Sequence, residues 1–471
     1  MIEKYYSGVI EQIYNRIGKE TRNIVMANYS NDFSIEKLEV IRRYQSNEDN
    51  VFFAYSEFSY NTLVGAYEPF LDIICNMHRR FIGGSFDDFQ KECGVYYLHR
   101  QVLNSYYETG ECFREETVLL NEVAYEQRRM TMAIVDMLKR LSEVRPLMIV
   151  INRFQMASKS SIETIKYLID NPCTNIGIVL GVNALVMGTD STVEEWDRIV
   201  ESLEDRSAIY YIGSAGPLKN NVKNTNDDEL YITMNFEQSI HEASNIMEFL
   251  DFEQARRGCR IIEHKLKFED AWIDEKSLRC FYMVYARTSV LLGEMSKAIE
   301  LTNEYKALIP ENDSEHYLSL YYFMKGTCYM YQGKLEKAGN SAKSAYDYAV
   351  LAEDDTLIFK AELLSVMIKM SGWYNIFFCV QDIPVSDEII EKLIKHGYRN
   401  HLAHIYIYAY DNSRDVVKQS FYDESLLKHF TKGLELAKEI GNEQLVYDAY
   451  QKTIMLASTS VTWVNCNSLT F

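Results

Sequence analysis

Asn23-Ile-Val-Met-Ala27-Asn-Tyr-Ser-Asn-Asp32-Phe33-Ser34, running into Ile35-Glu-Lys-Leu-Glu-Val-Ile-Arg-Arg-Tyr44, is the stretch on which the reading of the chain turns. Its first five residues, NIVMA, read as a short buried strand, and IEKLEVIRRY reads as a helix. Strand, loop and helix in this order are the layout of a phosphate-binding loop, G-x-x-x-x-G-K-[ST]. Ala27 and Asp32 stand at the two glycine positions and Phe33 at the lysine, and Ser34 alone keeps its type. Such a loop works because glycines let backbone N–H groups approach phosphate while the lysine supplies positive charge. Asp32 sets a carboxylate there instead, and Phe33 offers no hydrogen bond, so the layout is kept and the chemistry is lost.

Working outward, the expected alternation continues. Val51 to Tyr55 (VFFAY) reads as a second strand, and Pro69 opens a helix near its first turn. Thr117 to Leu141 carries apolar residues at helical spacing, as does the N-terminal run from Ile2 to Ile17. A third strand precedes Asn152-Arg153, where a metal-assisted phosphoryl-transfer site would carry two acids, one for the Mg²⁺ shell and one to polarise water. Asn can hydrogen-bond a metal-bound water, but Arg153 cannot act as a base at neutral pH. A fourth strand, Asn175 to Val182, ends at Asn183, and a fifth runs from Ala208 to Ile212. Strands alternating with helices imply a parallel sheet covered on both faces. The plain alternative is an α/β domain whose buried strands have no nucleotide history.

The stretch RPLMIVINRFQMASKSSIETIKYLIDN, from Arg145 to Asn171, resembles the Walker B region of signal-transduction ATPases with numerous domains, the STAND class of AAA+-like P-loop proteins. VFFAYSEF, followed by YEPFLDII, resembles their segment after the Walker A helix. The resemblance covers roughly residues 20 to 215 and implies an α/β P-loop NTPase-like domain in which Ser34, Asn152 and Asn183 would face a nucleotide, with ATP and Mg²⁺ as cofactors of an active switch. In such ATPases a polar residue at the tip of the fourth strand, here Asn183, contacts the γ-phosphate. The missing Walker A lysine and Walker B acids point instead to a pseudo-ATPase with no catalytic residues and no bound cofactor.

The chain changes character at the polar, Gly-, Pro- and Asn-rich stretch that opens with Gly213-Ser-Ala-Gly-Pro217, which marks a domain boundary. The expected division is an α/β domain over 1–216, a linker over 217–232 and an all-α region over 233–471. Downstream, Ala286, Gly293, Ala298 and Tyr305 align with Gly326, Gly333, Ala338 and Ala345 at a period of forty residues. A small residue in one helix facing a small residue in the next is the tetratricopeptide pattern, so a tetratricopeptide-like helical solenoid is expected. The alternative is an irregular helical bundle. Weaker copies begin at Phe249 and Thr431. A solenoid exposes a groove that takes a protein partner or a small effector, and 35 tyrosines suit amphipathic contact surfaces.

The net charge of −19 carries no Lys/Arg-rich stripe, which argues against direct nucleic-acid binding. No apolar run reaches the ~18 residues of a membrane span, and no secretory signal is evident at the N-terminus. Nine cysteines without paired spacing suit reduced thiols in a cytoplasm. Three histidines, His396, His401 and His404, invite a metal-site reading, but their apolar neighbours favour core or capping roles and no metal is expected. The function these readings favour is a signalling regulator that acts by binding. The alternative is an ATP-binding switch acting on transcription or cyclic-dinucleotide signalling through an output module or partner.

Overall fold

The computed structural model describes residues 2–29, 38–46, 50–59, 63–114, 116, 118, 120–183, 198–204, 209–212, 235–268, 273–312, 314–375, 387–409 and 424–459. Ser34, the stretch 217–232 and the tail after 459 lie outside them. The chain divides into two compact units. The first comprises Met1–Val95, His99–Phe113 and Asn121–Ile273, and the second Tyr96–Leu98, Arg114–Leu120 and Asp274–Phe471.

The first unit is built on a five-stranded parallel sheet in the order β2-β3-β4-β1-β5. The strands are β1 (Ile24–Tyr29), β2 (Phe52–Glu57), β3 (Leu147–Asn152), β4 (Ile176–Asn183) and β5 (Ile209–Ile212). Every residue of β3 and β4 is buried, which is why both read as unbroken apolar runs rather than alternating ones. The helix Ile2–Arg16 buries Tyr6, Ile10 and Ile13. It lies so close to β4 that a Cβ on Gly177 would stand 2.9 Å from Ile13 and Ile17, so the strand needs glycine there.

β1 runs two residues further than its sequence suggests. Asn28 and Tyr29 pair with Val182 and Asn183 on one side and with Tyr211 and Ile212 on the other. Ala27, read above as the first position of a phosphate-binding loop, is therefore interior strand, opposite Gly181 and Tyr210. The cause is two-sided pairing, since a strand laddered on both edges continues as long as both neighbours do.

Two helices beyond the expected boundary belong to the first unit: Phe236–Glu248 and Phe252–Phe268. Gln254 Nε2 donates to the Val64 carbonyl at 3.1 Å, and a Cβ on Gly258 would stand 2.7 Å from Leu63. The compact division thus falls at Ile273–Asp274. Here too Glu242 and Glu68 converge, each with a carboxylate oxygen 3.4 Å from the position of a Cβ on Gly65. Burial raises the pKa of both, and Asp72 adds to it. A carboxyl whose folded pKa is raised contributes stability below its unfolded pKa and loses it as pH rises through the folded one. Glu242→Gln is therefore expected to stabilise the first unit at pH 8 by a few tenths to about 1 kcal/mol and to gain little near pH 4. Urea midpoints at the two pH values test this, and an equal gain at both would contradict it.

The second unit is helical. Helices Glu275–Leu291 and Met295–Ala307 form one adjoining pair, and Ser314–Tyr331 and Leu335–Leu351 the next. Asp355–Asn375, Asp387–Lys395, Arg399–His404 with its π-helical continuation Ile405–Ala409, Glu424–Ile440 and Glu443–Thr459 follow among the described residues. The turns at Gly293 and Gly333 have φ of +77° and +69°, a left-handed conformation that suits glycine at a helix end. Helix Leu335–Leu351 buries Ala338, Ala342, Ala345 and Ala349 completely. A Cβ on Gly326 would meet the Ser341 side chain at 3.4 Å and the Ala338 carbonyl at 3.5 Å. The small residues of the forty-residue pattern do face one another here. Among the described residues, no helix is long and apolar enough to cross a membrane.

Candidate functional site

In an open parallel sheet, ligands are received at the carboxyl ends of strands, where neighbouring connections depart in opposite directions. The connection after β1 leads to β2 at one edge, while that after β4 leads past β1 to β5 at the other. The switch point therefore lies between β1 and β4, at Tyr29 and Asn183, which are paired in register. Asn152 stands at the tip of β3, opposite Glu57 at the tip of β2. With a period of two per strand, Glu57, Asn152, Asn183 and Tyr29 share one face of the sheet.

Tyr29 reaches across the end of β4, donating its hydroxyl to Asn152 Oδ1 at 2.6 Å. Gly181, one residue beyond the Ile151–Leu180 pairing, carries no side chain to obstruct that path. The Arg153 backbone N–H also donates to Asn152 Oδ1, at 3.0 Å. An amide oxygen has two lone pairs, and both are thus occupied. Among the described residues, Asn152 Nδ2 has no hydrogen-bond partner although the residue is fully buried. At this tip Asn152 can offer only a donor.

Arg153 takes a left-handed conformation (φ 56°) at the start of the turn Phe154–Met156 and pairs with Glu57 at 3.2 Å. The Tyr55 hydroxyl donates to the other Glu57 oxygen at 2.5 Å. Glu57 is the one carboxylate at these strand tips among the described residues, and it is already matched by a guanidinium. Asn183 is buried, and its backbone N–H donates to Gln155 Oε1 at 3.3 Å. On the other side of Tyr29 lies Tyr6, ring to ring at 6.3 Å, whose phenol pKa is raised well above normal by burial and then by Tyr29.

Two of the three candidate nucleotide residues, Asn152 and Asn183, therefore sit at neighbouring strand tips, Asn152 held by Tyr29 and Asn183 by Gln155. Ser34 lies outside the described residues. Sequence reasoning missed Tyr29, Glu57 and Gln155. Tyr29 and Glu57 fall just beyond the apolar runs Asn23–Ala27 and Val51–Tyr55, and the alternation of the strands continued through them would find both.

These tips do not fit Mg²⁺. A hard cation wants several oxygen ligands, and here one oxygen is saturated and one carboxylate is spent on arginine. Among the described residues, these tips retain donors for an acceptor group and no side chain placed to polarise water.

The remaining candidates separate from one another. His396 stacks on Phe359 with centroids 4.4 Å apart, His404 on Tyr408 at 5.6 Å, and His401 Nδ1 lies 2.6 Å from Glu116. Among the described residues, no group of three His, Cys, Asp or Glu side chains could hold a metal. Burial pushes the thiols of Cys75 and Cys328 up to about 12, which leaves both protonated and unreactive. No protein-family model, no curated protein and no solved structure matches this chain.

Proposed function

We propose that the chain is a catalytically degenerate, STAND-like signalling regulator, a pseudo-ATPase domain joined to tetratricopeptide-like repeats. It acts in the cytoplasm by binding a protein partner or a small effector through its helical region. The observation that carries this reading is the saturation of Asn152 Oδ1 by Tyr29 and by the Arg153 N–H, beside a Glu57 already paired with Arg153. With these atoms committed, the strand tips serve as a fixed hydrogen-bonded end to the sheet. The repeat reading is supported by the glycine turns at 293 and 333 and by Gly326 lying against Ala338 and Ser341.

The experiment is ATP and ADP binding to the full chain, with and without Mg²⁺, by calorimetry and thermal shift. A ligand present at a hundred times its Kd would stabilise the fold by about 2.7 kcal/mol. No binding at millimolar nucleotide is the expected result. Micromolar, Mg²⁺-dependent binding that is lost in Ser34→Ala would overturn it in favour of a nucleotide-gated switch.

A further inference from the structure

The first unit contains a cleft of about 370 Å³ whose lining includes none of the strand-tip residues. Its long wall is one face of the helix Lys159–Asp170, where Lys159, Glu163, Lys166 and Asp170 follow one another at helical spacing. That face is roughly 16 Å long at 1.5 Å per residue. Opposite stands the first half of helix Val123–Val144, with Gln127, Arg128 and Thr131. Leu250 and Tyr67 supply apolar surface. The volume falls within the range of small-molecule sites.

The walls are fixed by hydrogen bonds, and two of their residues hold strained backbone. Tyr67 and Leu250 are two of the four non-glycine residues with positive φ among the described residues, at 55° and 69°. Such conformations persist only where the surroundings over-determine them. Here the Tyr67 N–H donates to Ser160 Oγ at 2.9 Å, and Gln127 Nε2 donates to the Leu250 carbonyl at 2.7 Å. The Ser160 N–H donates to Asp251, which is buried, at 2.9 Å. Four segments distant in sequence are thereby locked around one void.

Charge then selects the occupant. The lining carries three basic side chains (Arg128, Lys159, Lys166) and three acidic ones (Glu163, Asp170, Asp251), so it does not attract a polyanion. Lys159 is paired with Glu253 at 2.7 Å and Lys166 with Glu163 at 3.1 Å. Asp251 is committed to backbone N–H groups. Arg128 and Asp170 are left: both are exposed, and no hydrogen bond or ion pair engages either side chain among the described residues. One uncommitted guanidinium and one uncommitted carboxylate border a half-apolar cleft.

We infer that this cleft binds a small zwitterion bearing one carboxylate and one amine, of amino-acid or dipeptide type, its carboxylate on Arg128 and its ammonium on Asp170. The guanidinium matches a carboxylate with two parallel hydrogen bonds, and Leu250, Tyr67 and the Tyr167 ring receive the apolar part.

The test is calorimetry and thermal shift on the full chain with leucine, phenylalanine and glycyl-phenylalanine as probes. N-acetyl-phenylalanine, which lacks the amine charge, and phenylalanine amide, which lacks the carboxylate, serve as controls. At least one zwitterion is expected to bind saturably, with both controls weaker by about tenfold or more. Arg128→Ala and Asp170→Ala should each weaken it by about tenfold while leaving the unliganded melting temperature unchanged, since neither exposed side chain holds a hydrogen bond or ion pair among the described residues. Three results would overturn the inference: no binding of any zwitterion at about 10 mM, a control binding as well as its parent, or binding indifferent to both substitutions. Nucleotide binding at the strand tips is read in a separate titration, so either conclusion can fail without the other.

Discussion

Replacing Glu116 with alanine should cost the second unit about 3–5 kcal/mol. Glu116 is fully buried, and its carboxylate receives three N–H groups. One oxygen takes the His401 backbone N–H and the His401 Nδ1, both at 2.6 Å, and the other takes the Asn400 N–H at 3.2 Å. The two backbone donors belong to the first turn of the helix Arg399–His404, whose N–H groups have no partner within the helix. A carboxylate there also meets the positive end of the helix dipole. Around it, Asn400 Oδ1 accepts from the Tyr96 hydroxyl at 2.7 Å and from Asn442 Nδ2 at 2.9 Å. Alanine would strand two buried amides and an imidazole nitrogen at once. Glu116→Gln keeps one acceptor oxygen and should lose about half as much. Urea unfolding gives the magnitude, and hydrogen exchange at Asn400 and His401 localises it. A loss below about 1 kcal/mol would mean that water replaces the carboxylate without penalty.

That contact also shows where legibility ends. The histidine cluster was visible in the sequence and its partner was not, because Glu116 lies 285 residues before His401. Strand existence and order along the chain were legible from apolar runs, since fully buried parallel strands announce themselves that way. The lateral order, which sets Tyr29 beside Asn183 and two strands from Asn152, is a long-range property with no local signature. The helix pairs around Gly293 and Gly333 were legible because a positive-φ turn and facing small residues are local demands. Phe249 to Ala255 carries the same local pattern, yet its helices count with the sheet. Helical spacing reveals that a face is buried, but not against which element.

The polar strand tips illustrate the same limit from the side of function. Asn152 and Arg153 are legible as an amide and a guanidinium at the end of an apolar run. That Arg153 would turn back on Glu57, and that Tyr29 would occupy the oxygen of Asn152, depends on four strands meeting in register. An amide and a guanidinium at a buried strand tip bring charge and hydrogen-bonding capacity that must be satisfied. Here the chain's own side chains satisfy most of it, and the stranded Asn152 Nδ2 is the remainder.

Asp251→Ala should destabilise the first unit by about 2–4 kcal/mol, because one side chain caps two helices. Its Oδ1 accepts the Gln254 N–H at 3.3 Å, in the first turn of its own helix, and its Oδ2 accepts the Ser160 N–H at 2.9 Å, in the first turn of Lys159–Asp170. A single cap contributes about 0.5–2 kcal/mol, and the second here also ties two elements together. Burial raises the Asp251 pKa and outweighs the hydrogen bonds that lower it. Between the unfolded and folded pKa values the native state therefore holds the proton more tightly, so this residue's contribution falls as pH rises through that window. Asp251→Asn is neutral at every pH and keeps one acceptor, so it should cost about half as much as alanine. Its penalty relative to the parent should be largest near pH 4 and smaller at pH 8, because only the parent loses stability on ionisation. Urea midpoints of the parent and both variants at these two pH values decide it. A penalty for asparagine that grows towards pH 8 would show that the ionised carboxylate is the favoured form, and that the two helix ends, not burial, govern this residue.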